Sequence, residues 1–186
     1  MLKSGLITVI FLIVLYLGSG GFIILQNEQL YEKAFTLEKK EVVYENINFY
    51  NKEVMRAARE QELIISIYPY ATKIPSFLSF LLTAISFGII GSLGKVINDS
   101  IQNGTNFKDA LNLMLIPIQG GIIGIIILGI SYTIPILLTN ENVTLKPITI
   151  VFLSLFGGIF YLNFYNWITN IIGKVLFSNK DKNSSQ

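Results

Sequence analysis

Four apolar stretches, roughly Gly5–Leu25, Phe77–Ile97, Leu113–Leu138 and Ile148–Ile172, alternate with polar segments along the chain. Each holds the roughly 20 residues that a helix needs to cross a hydrocarbon layer about 30 Å thick. A chain in lipid must satisfy its own backbone hydrogen bonds, so these stretches predict helices. The pattern predicts an all-α membrane protein: four transmembrane helices, with a helical extramembrane insert between the first and second. It divides the chain into a signal-anchor helix over 1–26, the insert over 27–75, a glycine-rich three-helix bundle over 76–177 and a disordered polar tail over 178–186. Lys3 followed by apolar Leu6–Tyr16 imitates a secretory signal peptide. Phe22-Ile23-Ile24-Leu25 extends that run to spanning length, which predicts an uncleaved anchor.

From Phe22 to Tyr68 there is no Gly or Pro, and Glu, Lys and Leu are plentiful, which favours helix. Within the insert Tyr50, Val54, Ala57, Ile64 and Tyr68 recur at helical spacing, with Gln61 as a polar member of the series. They predict a buried contact face, against the chain itself or against another subunit. One straight helix over 27–68 would extend about 60 Å, too far for the remaining residues to bring the chain back to the same face. A turn at Asn46–Asn51 is therefore expected, with Asn51 capping the following helix and the two arms forming a helical hairpin. Tyr68-Pro69-Tyr70 is expected as an interfacial tether.

The spans carry small residues on single faces. Ala84, Gly88, Gly91 and Lys95 are spaced four, three and four in the second span; Gly120, Gly124 and Ser131 mark the third; Ser154 and Gly158 mark the fourth. Such faces let helix backbones approach closely, within one chain or across the seam of a homo-oligomer. Pro117 and Pro135 are candidate kinks in the third span. The polar residues expected inside the spans are Gln119, Asn163, Asn166 and Lys95. Interhelical hydrogen bonding is their ordinary role, and an ion path is the sharper one. Lys95 lies close enough to a helix end to snorkel.

Composition narrows the chemistry. The chain has 186 residues, 14% of them charged, and a mean hydropathy of +0.57. It has no Cys, which excludes disulfides and lipid attachment at cysteine, and no His, the commonest metal ligand and general base. No catalytic motif, metal site or cofactor site is read from the sequence. A net charge of +2 gives no case for nucleic acid as a partner. Lys3 before the first span and Lys174 after the last favour cytoplasmic termini, although the insert is itself rich in Lys and Arg.

Gly88-Ile-Ile-Gly91-Ser-Leu-Gly94-Lys95, Pro117-Ile-Gln-Gly120-Gly121-Ile-Ile-Gly124 and Phe156-Gly157-Gly158 together resemble small four-span bacterial membrane proteins of phage-defence loci. The resemblance covers roughly residues 75–175 and extends to the membrane component of the Kiwa system and to small CRISPR-associated membrane proteins. It implies an oligomeric sensor or effector-coupling subunit of the bacterial inner membrane with a cytoplasmic protein partner. It carries no residue roles. The expected function is a non-enzymatic membrane subunit that senses, anchors or assists an effector; the alternative is a pore or channel.

Overall fold

The computed structural model describes residues 2–70, 73–103, 110–139 and 146–177. Its elements run α1 (Leu2–Thr36), β1 (Val42–Tyr44), β2 (Ile47–Phe49), α2 (Lys52–Ile67), α3 (Ser76–Asn103), α4 (Ala110–Thr139), α5 (Pro147–Ile159) and α6 (Tyr161–Phe177). Among the described residues three stretches are long and apolar enough to cross a membrane: Gly5–Thr36, Ser76–Gln102 and Leu115–Thr133. A fourth exists only if α5 and α6 count as one span, and their axes differ by 98°.

The helix α1 does not stop where the apolar run stops. It continues as one 35-residue helix through the polar residues to Thr36, so the expected boundary at residue 26 falls inside a helix. Its uninterrupted helix formers explain this, because nothing between Phe22 and Thr36 breaks the hydrogen-bond ladder. The two arms of the expected helical hairpin, the end of α1 and α2, are joined by a β-hairpin rather than by a simple turn at Asn46–Asn51. Val42 pairs with Phe49, Val43 with Asn48 and Tyr44 with Ile47. Glu45 and Asn46 form the two-residue turn, both left-handed at φ 49° and 62°. That geometry matches the twist of the flanking strands. β-Branched and aromatic residues on both sides outweigh the helix preference of the surrounding Glu and Lys.

Helices α3, α4 and α5 pack through backbone contact. A methyl group added at Gly88 would collide with the carbonyl oxygen of Gly120 and lie 3.2 Å from the amide nitrogen of Gly124. One at Gly124 would meet the Ala84 carbonyl, with the Ile85 nitrogen 3.0 Å away. One at Gly158 would meet the Gly88 carbonyl, and one at Gly91 the Leu155 carbonyl. Around this seam Ala84, Leu128 and Ile150 are buried, with Phe80, Leu81 and Tyr132 packed beside them. Helix α4 runs unbroken through both Pro117 and Pro135.

Against the other side of α3 lies α1, antiparallel to it. Ile7 packs with Leu93, Gly18 faces Ser86, Gly21 faces Ser79 and Thr83, and Ser76 donates to Glu28 at 2.9 Å. The fourth apolar stretch breaks at Phe160 (φ −99°, ψ 30°). Before the break sit Gly157 and Gly158, weak helix formers, and after it the Asn content rises. The expected single helix over this stretch is therefore two helices, with α6 leaving nearly at right angles.

Candidate functional site

The best-defined arrangement outside the glycine seam is the seating of the insert on α1. Asn51 begins it. Its backbone is extended, its side-chain Oδ1 accepts from the Val54 amide at 2.8 Å, and its Nδ2 donates to the Ala34 carbonyl at 2.7 Å. These partners fix which end of the amide is oxygen. From there α2 runs antiparallel down α1. Val54 and Ala57 are buried against α1, while Tyr50, Ile64 and Tyr68 are half-buried and Gln61 is exposed. The contact face predicted from spacing thus meets the chain's own first helix. Tyr50 also joins a ring series with Phe35 and Tyr31, at centroid distances of 5.5 and 5.4 Å.

At its lower end the insert closes on α1 through three tyrosines. Tyr16 Oη donates to the Ile67 carbonyl at 2.8 Å. Tyr68 Oη and Ser19 Oγ are 2.9 Å apart, and Tyr70 Oη donates to the Leu17 carbonyl at 3.2 Å. The rings of Tyr16 and Tyr68 lie 5.0 Å apart, and Tyr70 stands edge-on to both. Gly20 makes room for them: a methyl group there would collide with the Tyr70 hydroxyl and lie 2.6 Å from the Tyr68 ring. Sequence reasoning missed Tyr16, Ser19 and Gly20 as partners of the insert, and it named Tyr70 only as part of an interfacial tether. One signal was available, since Tyr16 places a hydroxyl in the middle of an apolar run and a buried hydroxyl needs an acceptor.

The upper end of the insert is polar. Glu41 lies 2.7 Å from Lys39, which holds the Glu41 carboxyl below its ordinary range and raises Lys39. The Arg59 guanidinium sits 5.1 Å over the Tyr44 ring, joining α2 to the β-hairpin.

The polar residues expected inside the spans do not converge. Asn163 and Asn166 are exposed on α6, beyond the break, rather than inside the bundle; the change of direction at Phe160 carries them out of it. Gln119 is half-buried on α4 next to Gly120. Lys95 pairs with Asp99 one turn on, at 3.8 Å. Ser154 is fully buried on α5 and its hydroxyl finds no partner among the described residues, nor does that of Ser79 on α3. Both fit their faces as small residues, and nothing in the structure explains their hydroxyls. Ser131 is half-buried and lines an apolar crevice of about 320 Å³ with Ile127, Phe156, Phe160, Phe164 and Trp167, under the α5–α6 bend.

No protein-family model matches the chain, and neither a curated protein nor a solved structure matches it.

Proposed function

We propose that this protein is a non-enzymatic, multi-pass subunit of the bacterial inner membrane in which an extramembrane insert acts directly on the first spanning helix. The observation that carries the reading is the double attachment of α2 to α1, at Asn51–Ala34 above and Tyr16–Ile67 below. An event at the insert is then an event on a helix that continues to the opposite face. That is the mechanical requirement of a sensor or of an anchor for an effector on that face.

In this reading α1, α3 and α4 cross the bilayer. Helix α5, about 20 Å long, is shorter than the hydrocarbon core and crosses most of it between α3 and α4. Helix α6 then lies along the face on which both termini emerge, the cytoplasmic one, with Asn163, Asn166 and Asn170 toward water as in an interfacial amphipathic helix. The glycine seam is closed by backbone contact within the chain, so a pore would have to run between copies.

The resemblance to membrane proteins of phage-defence loci supplies the context: a homo-oligomer coupled to a cytoplasmic effector protein. Purification from the native membrane in mild detergent tests it. Recovery of an oligomer with a stoichiometric cytoplasmic protein supports the proposal, and a lone monomer from cells that mount the response refutes it.

A further inference from the structure

We propose that residues 63–70 form a re-entrant wedge that enters the lipid layer beside α1, with the acyl chains of the leaflet on the insert's side as its partner. The inference rests on the membrane reading above and extends it to a segment that the sequence places outside the spans.

Three helices agree on where the insert-side boundary of the layer lies. Ser76 at the start of α3 bonds Glu28 of α1, and Lys146 and Pro147 at the start of α5 share a cleft with Gln26 and Gln29 of α1. The boundary therefore falls near Glu28. The end of α2 lies far beneath it. Ile67 is bonded to Tyr16, and Tyr70 to Leu17. From Glu28 to Tyr16 along α1 is about 18 Å at 1.5 Å per residue, roughly half of a 30 Å core.

The sequence of the descending segment changes at the same depth. Glu60 still shares a cleft with Leu30, above the boundary. After Glu62 the residues from Leu63 to Thr72 carry no charge, and Lys73, three residues before Ser76, restores one. Within the uncharged segment Leu63 and Ile67 turn outward, 65% and 59% exposed. On α1, Val9, Leu12 and Ile13 are similarly bare.

A helix end within lipid must have its free carbonyls satisfied from inside the protein. The Ile67 carbonyl is one of the last in α2, and the Tyr16 hydroxyl, not the following chain, supplies its donor. Pro69 has no amide hydrogen to satisfy, the Tyr68 amide returns to Ile64 at 2.7 Å, and Lys73 donates to the Tyr70 carbonyl at 3.0 Å.

The test uses tryptophan fluorescence, since Trp167 is the only tryptophan. In a Trp167→Phe background, single tryptophans replace Ile67, Leu63, Leu12 or Lys52, and each protein is placed in lipid nanodiscs. Lipids brominated on their acyl chains quench from within the layer, and iodide quenches from water. The expected result is that Ile67→Trp and Leu63→Trp lose about half or more of their emission to brominated lipid and little to iodide, as Leu12→Trp does, while Lys52→Trp shows the reverse. Iodide quenching at 67 and 63 with Leu12→Trp still quenched by lipid overturns the wedge and leaves the membrane reading standing. Quenching of neither kind at 67 and 63 means a protein neighbour covers them, and also overturns it. Iodide quenching at Leu12→Trp overturns both.

Discussion

The side chain of Asn51 serves two helix ends at once. Its Oδ1 caps the first turn of α2 at Val54, and its Nδ2 donates to the Ala34 carbonyl, which belongs to the unpaired last turn of α1. Both ends of this joint would otherwise need water, yet Asn51 is 2% exposed. The same arrangement recurs at the other end of the pair, where Tyr16 of α1 satisfies the Ile67 carbonyl in the last turn of α2. Each helix thus finishes the other.

Asn51→Ala removes both bonds. Loss of the cap alone costs about 0.5–2 kcal/mol, and the stranded Ala34 carbonyl adds to that. Asn51→Ser keeps a capping oxygen and loses only the link to α1, so its cost is expected to be smaller. Limited proteolysis of the insert in detergent measures the order: alanine fastest, serine intermediate, native slowest. Equal rates for all three would mean that Asn51 holds nothing.

The glycine seam separates two identical substitutions on one helix. Gly88→Ala puts a methyl group into the Gly120 carbonyl, and overpacking of this kind costs about 1–3 kcal/mol. Gly94→Ala meets nothing within 4 Å and gains helix propensity, about 0.5–1 kcal/mol. Thermal denaturation in detergent is expected to move down for the first and to hold or rise for the second. Identical shifts would show that α3 does not pack as described.

Val54 is 3% exposed on the face of α2 that meets α1. Val54→Asp buries a carboxylate with no partner, which is expected to loosen α2 while leaving α3, α4 and α5 untouched. Increased protease cleavage in 52–67, with unchanged extraction from membranes, is the expected pair of results. An insert as resistant as the native one would place Val54 elsewhere.

Sidedness follows from the proposed topology. The native chain has no cysteine, so a single introduced one reports cleanly. Lys52→Cys is expected to react with an impermeant thiol reagent in intact cells, and Ser184→Cys only after the cells are opened. The opposite order would invert the molecule.

Period and residue size carried much of the architecture. The three long apolar helices follow from hydropathy, and the face of Val54 and Ala57 and the capping by Asn51 follow from helical spacing and side-chain chemistry. Three elements were hidden for identifiable reasons. The Glu45-Asn46 turn lacks the glycine that usually announces a two-residue hairpin, so Val42–Phe49 was absorbed into a helix-rich segment. The break at Phe160 lies inside an apolar run, and hydropathy is blind to direction. The descent of Tyr68 and Tyr70 along α1 depends on pairings more than 45 residues apart, such as Tyr70 with Leu17, which no local pattern encodes. Asn163 and Asn166 lie on α6 beyond the break at Phe160 and are exposed there, a position that a straight span would not give them.

A 20.8 kDa chain built largely of apolar helices offers image-alignment methods almost nothing to hold. The β-hairpin supplies a grafting point. Its strands are joined by two residues and lead through Tyr50 and Asn51 into α2, while α1 rises to meet them without a joint. A small rigid domain inserted between Glu45 and Asn46 would inherit the orientation of both helices, and so serve as a fiducial from which the rest of the chain can be imaged.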